Sequence, residues 1–173
     1  GLTSTDMSKL TQGGQFMTEK EGGSDVGTLT TRAVQEGDHW RLYGEKWFCS
    51  NADAKLVMLL ARPEGAGPGT RGVGLFLMPR FLDDGSQNHY RIVRLKDKLG
   101  TRSMASGEIK LEGAIAYAVG KLDRGFVQMA EMVNSSRLSN GVKSTALMRR
   151  AYHDAMTVAK NRVVFGNRII DLP

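Results

Sequence analysis

No proline interrupts the chain between Asp123 and Asn167, and that stretch carries a helical repeat. Phe126, Met129, Ala130, Val133, Leu147, Ala151, Ala155, Val158 and Ala159 recur at steps of three and four residues. The pattern predicts one long helix, with Asp123 as N-cap, Gly166 as its C-terminal stop, and a weak point at Ser139-Asn140-Gly141 where it could bend. Such a helix runs on the order of 60 Å, more than a small β-domain needs as cover. Its apolar positions therefore call for partners outside this chain. The ending Ile169-Ile170-Asp171-Leu172-Pro173 is apolar and lacks a finishing element, so the sequence reads as a piece of a larger protein.

Before residue 118 the pattern is short and strand-like. Residues 28–34 are rich in β-branched side chains, Glu36-Gly37-Asp38 makes a turn, and residues 40–43 alternate polar and apolar, so the two runs read as a hairpin. Runs at 46–50, 56–61, 73–78, 90–95 and 108–111 bring the total to about seven strands at short spacing. That spacing suggests an antiparallel β-sandwich or barrel. The fold class is α+β, with a β-domain over 1–118 followed by a long helix in 119–173. The glycine-rich run 65–70 has no lysine in the phosphate-loop position and no helix after it, so it reads as a hairpin tip.

Composition narrows the classes. The chain has 40% hydrophobic and 24% charged residues, which excludes a disordered polymer. No apolar run approaches the roughly 18 residues of a membrane span. One cysteine, Cys49, excludes an internal disulfide framework and a multi-cysteine zinc site. His39, His89 and His153 are scattered without ligand spacing, so no metal role is assigned. With no leader visible at the start, the expected setting is a reducing cytoplasm. Charge is uneven: residues 119–173 hold 9 basic and 4 acidic side chains, whereas residues 1–118 hold 15 and 14. A basic segment of this kind either meets phosphate, on a nucleic acid or a cofactor, or is simply a solvated helix face.

Three stretches carry chemical interest. In Met17-Thr18-Glu19-Lys20-Glu21-Gly22-Gly23-Ser24-Asp25, paired glycines let the backbone approach a ligand closely, with hydroxyls at Thr18 and Ser24. The alternative is a turn held by Asp25 bonding its own backbone. In Gly44-Glu45-Lys46-Trp47-Phe48-Cys49-Ser50-Asn51, adjacent aromatics on a strand point to opposite faces, one toward the core. Phe48 and Ser50 share a face that would suit a flat heteroaromatic ring with polar edges, although core packing explains the pattern equally. Third, Arg137 lies mid-helix, with Arg149, Arg150, Lys160 and Arg162 further along. Arg162 stands three residues before Phe165, which would place both on one helix face.

At these residues the sequence resembles the acyl-CoA dehydrogenase family, from about Gln12 to Leu172. The resemblance rests on Thr18-Glu19 followed by Gly23-Ser24-Asp25, on the Gly44 to Asn51 strand, and on Leu99-Gly100-Thr101-Arg102. It continues along a helix from Gly125-Phe126 through Arg137 to Arg162-Val163-Val164-Phe165-Gly166. Lys46-Trp47-Phe48, the run 95–100 and Met148-Arg149-Arg150-Ala151 further resemble the adaptive, alkylation-response branch. The resemblance implies a middle β-domain over 1–118 and the opening of a C-terminal four-helix bundle over 119–173, in a protein assembled as a homotetramer. It implies FAD between the two, lined by Gln15, Met17, Thr18 and Ser24 and flanked by Phe48, Cys49 and Ser50. Arg162 and Phe165 correspond to positions touching the FAD of a neighbouring subunit. Ser24 and Arg137 correspond to positions on the acyl-CoA side.

The reaction so implied is α,β-dehydrogenation of an acyl-CoA thioester, part of fatty acid metabolism, with electrons passed to electron-transfer flavoprotein or another acceptor. A carboxylate takes the α proton while a hydride leaves for the flavin. Some relatives carry that base immediately before the mid-helix arginine. Ser136 stands there and cannot serve, so the chain offers no catalytic residue and is expected not to turn over alone. A rival expectation is a flavin-bearing, DNA-associated alkylation-response protein with little dehydrogenase activity, no DNA contact being assignable to this chain. A third is a β-domain with an interaction helix and no retained ligand.

Overall fold

The computed structural model describes residues 3–21 and 23–173. Strands β1 (Gly13–Phe16), β2 (Arg32–Glu36), β3 (His39–Ser50), β4 (Leu56–Pro63), β5 (Gly74–Pro79), β6 (Tyr90–Leu95) and β7 (Ser106–Ala118) precede the long helix α1 (Gly125–Asn161). A short hairpin, β8 (Val163–Val164) and β9 (Asn167–Arg168), follows it. The chain divides into two compact units between Ala130 and Glu131. No described helix is long and apolar enough to cross a membrane.

The first unit is a barrel-like sheet. β4 pairs β2, β2 pairs β3, β3 pairs β7, β7 pairs β5, and β5 returns to β4, which closes the ring. β1 lies parallel to the first half of β4, and β6 lies antiparallel to the first half of β7. Small residues let the walls approach: Ala33, Ala52, Ala54, Ala61, Ala114 and Ala116 alternate in the core with Phe16, Leu42, Leu59, Phe76, Met78 and Ile109. The α+β class and the order of a β-domain before a long helix stand as read from sequence.

Several elements differ from the sequence pattern, each for a physical reason. The β-branched run 28–34 does not form one strand; Val26–Thr28 is a 3-10 turn and pairing starts at Arg32. The amides of Thr30 and Thr31 are taken by the Glu19 carboxylate, at 2.6 and 3.1 Å, instead of by a strand. The runs 40–43 and 46–50 are halves of one twelve-residue strand, which passes through Gly44 at φ 146° without breaking. β7 is far longer than the run 108–111, because it is walled by β3 on one edge and by β6 and then β5 on the other.

The helix also differs at both ends. Leu122–Arg124 is a 3-10 turn, so Asp123 is not the N-cap, and α1 begins at Gly125. A side chain at Gly125 would strike the backbone of Val73, Gly74 and Leu75, so glycine there reflects close approach to β5. The helix continues through Ser139-Asn140-Gly141 to Asn161. Gly166 does not stop it; with Phe165 it forms the turn of the β8–β9 hairpin, at φ 51° and 78°.

Candidate functional site

The two motif segments of the barrel meet through their backbones. The Trp47 N–H donates to the Thr18 carbonyl at 2.9 Å, which brings the Met17-Thr18 stretch beside the Trp47-Phe48 stretch of β3. On β1, Phe16 points into the core while Gln15 takes the opposite face. The Gln15 Oε1 atom is buried and has no hydrogen-bond partner. A buried acceptor left bare is costly, which makes it a place for a donor from a bound group. Ser24 is exposed, and Gly23 packs so closely on Thr18 that a Cβ there would lie 3.0 Å from Thr18 Oγ1. Gly22 of the glycine pair lies outside the described residues. Asp25 does bond its own backbone, accepting the Gly27 N–H at 3.0 Å.

On β3, Phe48 is 56% exposed and Ser50 is exposed on the same face. Neither aromatic enters the core, contrary to the alternation expected for Trp47 and Phe48. Trp47 instead carries the Lys96 ammonium 3.3 Å from its ring centroid, with Lys20 and Arg94 further out at 5.9 and 5.7 Å. Cys49 is the residue that turns inward. It is fully buried in the barrel core, and burial pushes its thiol up to about 12. Only the backbone of Cys49 is therefore placed to meet a ligand. Asn51 closes the strand at φ 55° and donates from Nδ2 to the Gly13 carbonyl at 3.1 Å, tying the end of β3 to the start of β1.

Beneath this surface lies an ion pair that motif reading named without giving it a role. Lys46 Nζ donates to Glu19 Oε1 at 2.8 Å, with the two side chains 0% and 5% exposed. The Glu19 carboxylate also accepts the N–H and hydroxyl of both Thr30 and Thr31. Burial alone would raise the Glu19 carboxyl, but the Lys46 charge and these hydrogen bonds outweigh it and hold it at about 2.

In the second unit, Arg137 is exposed mid-helix. Arg162 and Phe165 do not share a helix face. Arg162 follows the last turn, donating its N–H to Val158 at 2.9 Å and accepting the Ile169 N–H at 3.0 Å. Phe165 is the tip of the hairpin, 95% exposed.

This chain matches the family model described as acyl-CoA dehydrogenase, middle domain, over residues 14–114, and that described as acyl-CoA dehydrogenase, C-terminal domain, over 123–173. The chain belongs to the acyl-CoA dehydrogenase family. It is 44% identical over 171 residues to acyl-CoA dehydrogenase family member 11 of Caenorhabditis elegans, and 42% identical over 161 residues to putative acyl-CoA dehydrogenase AidB of Escherichia coli. These alignments cover 95% and 92% of this chain, but only 28% and 29% of those proteins. The crystal structure of C. elegans ACDH-11 in complex with C11-CoA superposes with a TM-score of 0.86 at 41% identity, over 96% of this chain and 29% of that one. The chain thus spans under a third of the length of these relatives.

Within this family member, sequence reading missed Lys96. Its ammonium lies 4.6 Å from the Phe48 ring centroid and 2.6 Å from Glu108 Oε1. It stands in the run 95–100 that carries the branch resemblance, but no role attached to it there, because only the fold brings the loop between β6 and β7 onto Phe48.

Proposed function

We propose that this chain supplies much of the flavin cradle of an FAD-dependent acyl-CoA dehydrogenase, an oxidoreductase that α,β-dehydrogenates acyl-CoA thioesters. In this reading residues 1–118 are the middle β-domain and 119–173 open the C-terminal helical bundle. The observation that carries it is the bare, buried Gln15 Oε1 on β1, on a barrel whose neighbouring segments present Thr18 and the exposed Phe48–Ser50 face. An unpaired acceptor, a hydroxyl and an open aromatic face fit a flat heterocycle with polar edges. FAD, when bound, would supply the hydride acceptor.

The chain's own residues would bind and orient. Gln15 would accept from the ring edge, Met17 and Thr18 would lie along it, and Phe48 and Ser50 would flank it. Ser24 and Arg137 would serve the acyl-CoA side. The almost fully exposed Phe165, at the tip of the hairpin that Arg162 begins, is suited to reach the FAD of a neighbouring subunit in a homotetramer. Ser136 precedes Arg137 where a carboxylate would be needed, so the proton-abstracting base comes from elsewhere in the complete protein. Electron-transfer flavoprotein or another acceptor would take the electrons, and a cytoplasmic setting suits the single, buried cysteine. The test is a fluorescence titration of FAD against this chain, then anaerobic addition of acyl-CoA to the complete protein. Bleaching of the flavin supports the reading; absence of FAD binding by both proteins refutes it.

The charge of residues 119–173, 9 basic against 4 acidic, favours a second reading in which the complete protein is flavin-bearing, DNA-associated and weak as a dehydrogenase. Duplex binding that falls steeply with salt, together with flavin that acyl-CoA does not bleach, would select it.

A further inference from the structure

We infer that the buried Glu19–Lys46 pair is a positioning device that fixes the gap between the two ligand-facing segments of the barrel, Met17-Thr18 and Phe48–Ser50. The inference rests on the flavin reading above and assigns to this pair the geometry on which that reading depends.

The placement of the pair carries the argument. Glu19 directly follows Thr18, and Lys46 stands two residues before Phe48. Between them runs the backbone bond from the Trp47 N–H to the Thr18 carbonyl. Met17 and Thr18 lie past the end of β1 and outside its ladder, tied to β3 through that bond. The Glu19 carboxylate adds the rest of the hold. It receives five hydrogen bonds from two other stretches of chain: the Lys46 ammonium at 2.8 Å, and, from the adjacent threonines, the Thr30 N–H and hydroxyl at 2.6 and 2.8 Å and the Thr31 N–H and hydroxyl at 3.1 and 2.5 Å. Five directional bonds leave the carboxylate almost no freedom, and Thr18 moves with it.

Gly44 belongs to the same device. It has φ 146°, and a Cβ there would lie 2.8 Å from both Thr31 Cα and Thr31 Oγ1. Glycine lets β3 come close enough for Thr31 to turn its N–H and hydroxyl onto Glu19. Three letters of the two sequence motifs, Glu19, Gly44 and Lys46, therefore meet around Thr31 in one cluster.

Stability alone is a poor reason to bury this pair, since well-packed apolar residues of similar volume often serve a core as well or better. An apolar pair has no direction, however, and could not fix Thr18 against β3 to a few tenths of an ångström. A ligand site needs that definition.

The test uses the 173-residue chain and three variants: Glu19→Gln, Lys46→Met and the double variant carrying both. FAD affinity and the vibronic structure of the bound-flavin absorption band are measured on protein shown to be folded by circular dichroism. Hydrogen exchange is followed at the Trp47 amide. The single variants are expected to bind FAD on the order of tenfold more weakly, the scale on which partners that orient ligand-holding groups act. Their flavin band should be altered and Trp47 exchange faster. The double variant, which buries no unpaired charge, recovers thermal stability but not FAD affinity, and it carries the test if either single variant fails to fold. Wild-type FAD affinity in the folded double variant would overturn the inference, leaving the pair a dispensable part of the core. If the parent chain binds no FAD while the variants still lose Trp47 protection, the flavin reading fails and the clamp stands.

Discussion

Replacing Asn88 by alanine should open the barrel wall, and the structure gives a magnitude. The antiparallel pairing of β5 with β7 runs Phe76 to Ala118 and Leu77 to Tyr117, and two residues on from Leu77 the same register would set Pro79 opposite Ile115. Pro79 has no N–H to offer, and the ladder stops there. The side-chain amide of Asn88 fills the gap as a stand-in peptide. Its Nδ2 donates to the carbonyls of Pro79 and Ile115, and its Oδ1 accepts the Ile115 and His89 N–H groups, all four at 2.8 Å. The residue is 2% exposed, so truncation leaves backbone groups of Pro79 and Ile115 bare inside the wall. Each such group costs about 1–3 kcal/mol, and partial entry of water reduces the sum to about 3–5 kcal/mol.

For a chain of this size that corresponds to a fall in Tm of about 10 °C, read by thermal circular dichroism. Asn88→Asp makes the comparison sharper. It keeps both acceptor positions but loses both donors, and it faces the Pro79 and Ile115 carbonyls with a carboxylate, so it should be at least as damaging as alanine at neutral pH. Loss of less than about 3 °C in the alanine variant would refute the idea that this amide replaces a rung of the ladder.

Three further outcomes are expected. Glu19, with an ordinary value of 4.5 lowered to about 2 in the fold, contributes stability that is complete above about pH 4.5 and is lost as the pH falls toward 2; the loss is about 3 kcal/mol, and urea titrations in acid should show it in the parent but not in Glu19→Gln. Phe165→Asn relieves a non-glycine residue at φ 51° and creates the Asn-Gly pair that two-residue hairpin turns favour; slower exchange at the Ile169 amide, which bonds Arg162, is expected, and the role proposed above for Phe165 adds weaker FAD binding by the complete protein. Cys49, fully buried and with its thiol pushed up to about 12, should resist thiol reagents at pH 8 until denaturant is added.

What could be read in advance divides along physical lines. The hairpin at Glu36-Gly37-Asp38, the strand 90–95 and the uninterrupted helix are local matters of turn chemistry and periodicity, and all three stand in the fold. β1 was not legible, because Gly13-Gly14-Gln15-Phe16 has no strand character of its own and is extended only by lying parallel to β4. The false strand at 28–31 has the opposite cause. Its β-branched residues favour extension, but Glu19, eleven and twelve residues earlier in the chain, claims the amides of Thr30 and Thr31.

The site follows the same division. Exposure of Phe48 and Ser50 on one face came from simple alternation along a strand. The same alternation turns Cys49 inward, a placement the sequence reading did not state, and it misled in sending one of the two aromatics to the core. Between Lys46 and Cys49 the pairing with β7 slips register, so strict alternation fails at Trp47, where three cations from other segments gather on the ring. The motif letters could be recognised as a set, but not what divides them. Phe48 and Ser50 are exposed and Thr18 half-buried, whereas Glu19 and Lys46 are buried as an ion pair and Gly44 packs against Thr31. Spacing along the chain does not separate the two groups, because members of each stand next to members of the other. Burial separates Glu19 and Lys46 from Phe48 and Ser50, and burial here depends on a barrel closed by strands from both ends of the domain.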